Sequence, residues 1–243
     1  MKIKSLREAV DPRGVKIAIY GDSGTGKTTQ IASLVPLMAD DDVLLVITAE
    51  HGLRTLVQEN LGIADDPRVQ VAECEKISEV REAVKYAIAP SNKVKFVVVD
   101  SVSNLADREL RALLETEKDP RKAYGDVMLR VPTMLWAMVD APSLNVVFIF
   151  QENRVERNEG SAKQPDMVAY YSPQVPSKGM MASMPYIFDG VLRLEQKPNG
   201  ERQFRTAKTS TIVAKDRTGM LDTLEPPDLG AIIVKILSKD GEA

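Results

Sequence analysis

Gly21-Asp22-Ser23-Gly24-Thr25-Gly26-Lys27-Thr28 (GDSGTGKT) follows the apolar run Val15–Tyr20 (VKIAIY) and opens the helical pattern Thr28–Met38. It fits the pattern G-x-x-x-x-G-K-[S/T], with a strand before it and a helix after it. Glycines let the backbone curl with its N–H groups pointing inward, and the helix N-terminus adds positive potential. We expect Lys27 to reach the β- and γ-phosphates of a nucleotide and the Thr28 hydroxyl to ligate Mg²⁺. The predicted nucleotide-binding residues are Gly21, Asp22, Ser23, Gly24, Thr25, Gly26, Lys27, Thr28 and Thr29.

Three further apolar runs share the pattern of Val15–Tyr20, in that their apolar residues are continuous rather than alternating with polar ones. They are Val43–Thr48, Val94–Val99 and Asn145–Phe150. Such runs are typical of strands buried on both faces, as in a parallel sheet covered by helices. Helical patterns lie between them, at Gly52–Asn60, Ile77–Ala89, Asn104–Leu114 and Val127–Val139. The alternation predicts an α/β fold with a doubly wound, mostly parallel sheet.

The composition of the sequence changes after Phe150. Residues Glu152–Pro185 are polar and lack a long apolar period, which predicts a long functional loop. Beyond it, residues 187–243 predict a C-terminal extension of antiparallel strands and one amphipathic helix. The strands are Ile187–Glu195, Gln203–Thr209 and Thr211–Lys215, the turn is Lys197–Gly200 and the helix is Asp228–Ser238. We expect a short N-terminal segment, 1–14, and then a single domain, 15–243.

Composition excludes several classes of protein. The 243 residues are 44% hydrophobic and 28% charged, which is an ordinary globular balance. Cys74 is the sole cysteine, so no internal disulfide can form, and no apolar run is long enough to span a membrane. We therefore expect a cytoplasmic protein. The net charge of -3 means that any nucleic-acid binding depends on local basic segments.

Two acidic residues follow apolar strands and are candidates for the chemistry of hydrolysis. Asp100 ends the run Val97-Val98-Val99 and is predicted to hold Mg²⁺, and it is followed by Ser101 rather than by a glutamate. Glu50 ends the second strand. Because the carboxyl ends of parallel strands share one rim, Glu50 can converge with Asp100 and activate the attacking water. The alternative is a solvated acid at the start of a helix.

These segments resemble RecA-type recombinases. Thr48–Leu53 is similar to the segment that carries the catalytic glutamate in that family, and Val97–Val102 is similar to its Walker B strand. Phe148–Asn153 resembles the next core strand, which ends in a glutamine that senses the γ-phosphate. The resemblance implies a RecA-like core, gives Gln151 the sensor role and makes ATP and Mg²⁺ the cofactors. The alternative for Gln151 is an ordinary polar strand end.

Val213–Gly219 (VAKDRTG) resembles the K-x-R element of RadA-like proteins and ring-shaped RecA-fold helicases. In those families the lysine and arginine reach the γ-phosphate of a neighbouring subunit. The resemblance implies that Lys215 and Arg217 act in trans, stabilising negative charge in the transition state, and that the protein is a homo-oligomer. The alternative is a charged hairpin tip.

The compact chain also resembles phage RecA-like ATPases linked to single-strand annealing, which implies expression in host cytoplasm. It departs from larger relatives in three respects. Its first roughly 14 residues are too short for the RecA polymerisation domain, and a single cysteine cannot form the RadA zinc finger. After Glu50, where RecA has an adenine-stacking tyrosine, Arg54–Val57 contains no aromatic residue.

Two segments correspond to the DNA-binding loops of RecA-type proteins, namely Glu117–Arg130 and the loop 152–185. Both combine basic and aromatic side chains, which suits a single-stranded backbone with stacked bases. The candidate DNA-binding residues are Arg121, Lys122, Arg130, Arg154, Arg157, Lys163, Tyr170, Tyr171 and Lys178. The alternative is a solvated loop whose tyrosines pack on the core, because nearby acidic residues dilute the charge.

The leading interpretation is a DNA-stimulated ATPase that binds single-stranded DNA and acts in recombination or strand annealing. It works as a ring or filament with active sites at subunit interfaces, and a single-strand DNA-binding protein is a possible partner. One alternative is a ring helicase or loader with the same core. Another is a nucleotide-switched scaffold whose partner is a protein.

Overall fold

The computed structural model describes residues 14–49, 52–141, 144–161 and 164–238. One sheet organises them. Its strands are β1 Lys16–Gly21, β2 Val43–Thr48, β3 Val69–Glu73, β4 Val94–Asp100, β5 Asn145–Asn158, β6 Met167–Pro173, β7 Gly190–Gln196, β8 Arg202–Arg205, β9 Lys215–Asp216 and β10 Leu224–Glu225. The helices are the 3-10 helix Thr28–Leu37, α1 Ile77–Ile88, α2 Val102–Thr116, α3 Pro120–Val139, α4 Lys178–Ser183 and α5 Leu229–Leu237. Short 3-10 turns lie at Gly52–Thr55, Glu59–Leu61, Pro90–Asn92 and Met184–Tyr186.

The centre of the sheet is parallel, in the order β3-β2-β4-β5-β1-β7. Both of its faces are covered. Ile17 and Ile19 pack into a core shared with the 3-10 helix Thr28–Leu37 and α5, while Ala18 and Tyr20 face the core shared with α1, α2 and α3. Burial on both faces explains the continuous apolar runs, and the predicted doubly wound, mostly parallel α/β fold is confirmed.

The register of the strands sets where functional groups can meet. Gly21 of β1 pairs with Gln151 of β5, and Thr48 of β2 pairs with Asp100 of β4. These four residues therefore lie along one rim of the sheet, at the carboxyl ends of the strands. In open α/β sheets this rim is where ligands bind.

The C-terminal extension is antiparallel, as the sequence predicts, although its first strand joins the parallel core. β7 runs parallel to β1 and antiparallel to both β8 and β9. The predicted turn Lys197–Gly200 is confirmed, because the Gly200 N–H donates to the Lys197 carbonyl at 2.9 Å. Two predicted strands are wrong in length. The strand predicted at Gln203–Thr209 corresponds to β8, which ends at Arg205, and the strand predicted at Thr211–Lys215 corresponds to β9, which has two residues.

The segment 152–185, predicted as a long loop, is mostly regular structure. β5 continues to Asn158 and pairs antiparallel with β6, and α4 follows. We call residues 152–173 the hairpin. Most of its side chains are exposed or half-buried, so its strands do not require a continuous apolar run. Without such a run, the sequence predicted a loop.

The other predicted DNA-binding loop, Glu117–Arg130, is also largely helical, because α3 begins at Pro120. Asp119 caps this helix by accepting a hydrogen bond from the Arg121 N–H at 3.0 Å. A proline at the first helical position suits a helix start, which explains why α3 begins earlier than its apolar pattern suggests. Among the described residues, no helix is long and apolar enough to cross a membrane.

Candidate nucleotide-binding site

The phosphate loop between β1 and the 3-10 helix is curled on itself. Gly24 and Gly26 have φ angles of 77° and 91°, a region that glycine adopts without strain. The Lys27 ammonium donates to the carbonyl oxygens of Gly21 at 2.7 Å and Asp22 at 2.8 Å. The lysine thus lies across the mouth of the loop, where its charge can meet a phosphate.

The residue after Lys27 connects the loop to the neighbouring strand. The Thr28 hydroxyl donates to Oδ2 of Asp100 at 2.7 Å. Asp100 ends β4 and is only 5% exposed, so its carboxylate is held in a fixed place. A hydroxyl and a carboxylate are the hard oxygen donors that Mg²⁺ takes from proteins, with phosphates and waters completing its coordination. The pair therefore fits the predicted metal site.

Glu50, the predicted catalytic base, lies outside the described residues. The described chain stops one residue short of it, at Ala49, whose N–H donates to the Asp100 carbonyl at 3.3 Å. The backbone that leads to residue 50 is thus bonded to the residue that would hold the metal. The role of Glu50 stays a prediction.

Gln151, the predicted γ-phosphate sensor, lies beside the loop through its pairing with Gly21. Its side-chain amide donates to Oδ1 of Asn104 at 3.0 Å, and its backbone N–H donates to the Ser103 hydroxyl at 3.0 Å. The amide is therefore oriented by the first turn of α2. Asn104 and Ser103 are positioning residues that the sequence analysis missed.

These groups line one cleft of about 850 Å³. Its walls include segments that the sequence did not assign to a site. The lining residues are Gly21, Asp22, Ser23, Gly24, Gly26, Lys27, Thr28, Thr29, Thr55, Gln58, Asn60, Leu61, Asp100, Ser101, Gln151, Glu152 and Arg202. Arg202 comes from β8, and residues 55–61 come from the turns after β2.

A network of charged side chains stands beside the cleft. The Arg193 guanidinium binds both carboxylate oxygens of Glu152, at 2.7 and 3.2 Å, and also contacts Glu195 at 3.0 Å. Arg205 binds the other side of Glu195 at 3.0 Å. The Arg193 guanidinium lies over the ring of Tyr171, 3.9 Å from its centroid. The network joins the hairpin to β7 and β8 immediately after Gln151.

Lys215 and Arg217 lie away from the cleft of their own chain. Lys215 of β9 pairs with Val191 of β7, and Val191 pairs with Ala18 near the start of β1. The phosphate loop follows the other end of β1. The Lys215 ammonium donates to the carbonyls of Pro185 and Phe188, and burial together with Arg217 lowers the pKa of this lysine. Arg217 is half-exposed and contacts Asp189 at 3.4 Å. Neither residue lines the cleft described above.

The candidate DNA-binding residues do not form one surface of unpaired cations. Arg130 binds the buried Glu109, so it supports the packing of α3 on α2. Lys122 pairs with Glu117 and Arg154 pairs with Glu156. The remaining candidates are distributed as follows: Arg121 is exposed on α3, Arg157 lies over Tyr170, Tyr171 lies under Arg193, Lys178 opens α4 and Lys163 lies outside the described residues.

The phosphate loop, Asp100 and Gln151 on the rim of a parallel sheet define a P-loop ATPase with a RecA-like core. The family model described as "AAA domain" matches residues 13–218. The chain belongs to this family. No curated protein sequence matches it significantly. Among solved structures, the chain is similar to "Crystal structure of the RadB recombinase", with 19% identity, 80% of each chain covered and a TM-score of 0.46.

Proposed function

We propose that the chain hydrolyses MgATP in this cleft and uses the cycle to act on single-stranded DNA in recombination or strand annealing. The observation that carries the proposal is the Thr28–Asp100 contact at the rim, with Lys27 and Gln151 beside it. Lys27 binds the β- and γ-phosphates, Thr28 and Asp100 hold Mg²⁺, and Gln151 senses the γ-phosphate. Glu50 orients and deprotonates the attacking water.

The DNA part of the proposal is supported by the position of the hairpin. β5 carries Gln151 at the cleft and continues without a break into the hairpin, so a change at the γ-phosphate has a direct structural route to it. Arg154, Arg157 and Tyr170 provide cations and an aromatic ring at its surface. Such a surface suits a sugar-phosphate backbone with stacked bases.

The oligomer is supported by Lys215 and Arg217. They carry positive charge at a distance from their own phosphate loop, which suits a role at the nucleotide of a neighbouring subunit. The active site is then completed by a second copy of the chain, in a ring or a filament.

A second candidate function is a nucleotide-switched scaffold that binds a protein through the hairpin. The observation that favours it is the exposure of two apolar side chains there, Val155 at 40% and Met167 at 57%. Exposed apolar side chains suit a protein partner better than a nucleic acid.

The experiment that separates these functions is the ATPase rate per subunit against protein concentration, with and without single-stranded DNA. A rate that rises with both supports catalysis at subunit interfaces and action on DNA. A rate independent of DNA favours the scaffold, and a rate independent of concentration argues against the trans role. Lys27→Ala is the control, since it must abolish turnover if the cleft is the active site.

A further inference from the structure

Arg202, at the start of β8, reaches across to the phosphate loop. Its Nη2 donates to the Gly24 carbonyl at 3.4 Å. Its Nη1 lies 2.7 Å from the position that a Cβ on Gly26 would occupy. The guanidinium therefore rests on the loop itself and forms part of the cleft wall.

The pairing of Arg202 differs from that of its neighbours on the same two strands. Arg193 binds Glu152 and Glu195, and Arg205 binds Glu195. Within the described part of the chain, Arg202 has no carboxylate partner, and its side chain is exposed at the cleft. One long hydrogen bond to a carbonyl leaves most of its donors, and the part of its planar group turned away from the loop, open to a ligand.

The position of Arg202 along the cleft shows which part of a nucleotide it would meet. Thr28 and Asp100 mark the metal and γ-phosphate end. Arg202 lies against Gly26 on the side of Thr29, whose hydroxyl is 2.9 Å from the same Cβ position. In the sheet, β8 and β4 lie on opposite sides of β1, so Arg202 approaches the loop from the side away from Asp100. A triphosphate held with its γ-phosphate at the metal directs its α-phosphate and nucleoside toward Thr29 and Arg202.

Among the described residues that line the cleft, none provides an aromatic ring for a base. The wall formed by residues 55–61 consists of Thr55, Gln58, Asn60 and Leu61. A guanidinium is planar and weakly hydrated, and it stacks on aromatic faces as an aromatic side chain does. We infer that Arg202 binds the nucleoside end of the nucleotide in cis, stacking its guanidinium on the base. The inference rests on the proposed nucleotide site.

The test is isothermal titration of wild type, Arg202→Ala and Arg202→Lys with MgATP and with Mg-tripolyphosphate, which has the phosphates but no nucleoside. We expect Arg202→Ala to weaken ATP binding roughly five- to thirtyfold, as lost stacking by a desolvated cation implies, and to leave tripolyphosphate binding unchanged. Arg202→Lys should resemble Arg202→Ala, because lysine keeps the charge but not the planar group.

Equal losses for ATP and tripolyphosphate would overturn the inference, because they would place Arg202 at the phosphates. Unchanged ATP binding in Arg202→Ala would overturn it as well. Arg111→Ala is the matched control, since Arg111 is exposed on α2, about 13 Å along the helix from its start. Failure of the proposed function looks different: wild type then binds neither ligand, or Lys27→Ala binds both as wild type does.

Discussion

The Thr28 hydroxyl donates a hydrogen bond to Oδ2 of Asp100 at 2.7 Å, although the two residues are 72 positions apart. The contact fastens the first residue of the 3-10 helix to the carboxyl end of β4. Both oxygens are hard ligands, and they lie beside Lys27 on the cleft wall. When Mg²⁺ binds with a nucleotide, these groups can turn from each other to the metal and its waters without a change in the fold.

Thr28→Val is therefore expected to abolish metal-dependent turnover. Valine keeps the shape of threonine but removes the hydroxyl, so the metal loses a ligand and the Asp100 carboxylate loses a donor. We expect the ATPase rate to fall on the order of a hundredfold or more, since a catalytic metal contributes several kcal/mol. The measurement is steady-state turnover across a Mg²⁺ titration. Thr28→Ser, which keeps the hydroxyl, should retain most of the rate, and equal rates in all three proteins would contradict the metal site.

Glu50→Gln tests the predicted base. Glutamine keeps the shape and removes the charge, so ATP should bind normally while hydrolysis is lost. The measurement is nucleotide affinity by titration beside single-turnover hydrolysis. Glu59→Gln is the control, because Glu59 is an exposed acid on a turn nearby that does not line the cleft. Undiminished hydrolysis in Glu50→Gln would remove this residue from the mechanism.

Local sequence patterns were sufficient to predict the parallel core and the phosphate loop. Strands buried on both faces are continuously apolar. This pattern made β1, β2, β4 and the first part of β5 recognisable in the sequence. β3 escaped prediction because it is an edge strand with one neighbour, and its residues are only half-buried or exposed. The helix predicted at Gly52–Asn60 is two short 3-10 turns, since propensity does not distinguish these forms.

The rest of the site depends on partners that are distant in sequence. Glu152 and Arg193 are 41 residues apart, and Arg202 is 178 residues from Gly24. A single arginine has no local signature that states which carboxylate or carbonyl it meets. For the same reason the sequence did not show that Arg130, a candidate DNA contact, binds Glu109, and its role in DNA binding stays a prediction. Which partner each arginine meets is determined by how the strands and helices align in the fold.

The Glu152–Arg193 pair should stabilise the junction between the hairpin and the sheet. Both side chains are mostly buried, at 6% and 14% exposed, so removing one leaves the other charge without its partner. We expect Arg193→Met to lower the free energy of unfolding by about 3 kcal/mol. Urea unfolding measures it. The double variant with Glu152→Gln should recover part of the loss, and additive losses in the double variant would contradict the coupling.

The two tyrosines of the hairpin should behave differently, because they lie in different surroundings. Tyr171 is under Arg193 and pairs with backbone around Ile212, so Tyr171→Ala should destabilise the fold. Tyr170 bonds to Glu159 and lies near Arg157 at the surface. Tyr170→Ala should weaken single-stranded DNA binding by about 1–3 kcal/mol. Fluorescence anisotropy at fixed salt measures it, with Tyr170→Phe as the control that keeps the ring.

Arg217→Ala tests whether the active site is shared between subunits. Arg217 is half-exposed, and its main contacts are to Tyr186 and Asp189, so its loss should spare the fold and nucleotide binding. Hydrolysis should fall on the order of a thousandfold, the lower range for an arginine that acts in trans. Mixing Arg217→Ala with inactive Lys27→Ala should restore activity, because a Lys27→Ala subunit can supply Arg217 to a neighbour with an intact phosphate loop. Mixtures that stay inactive at every ratio, under conditions where the subunits exchange, would place the function of Arg217 within its own chain.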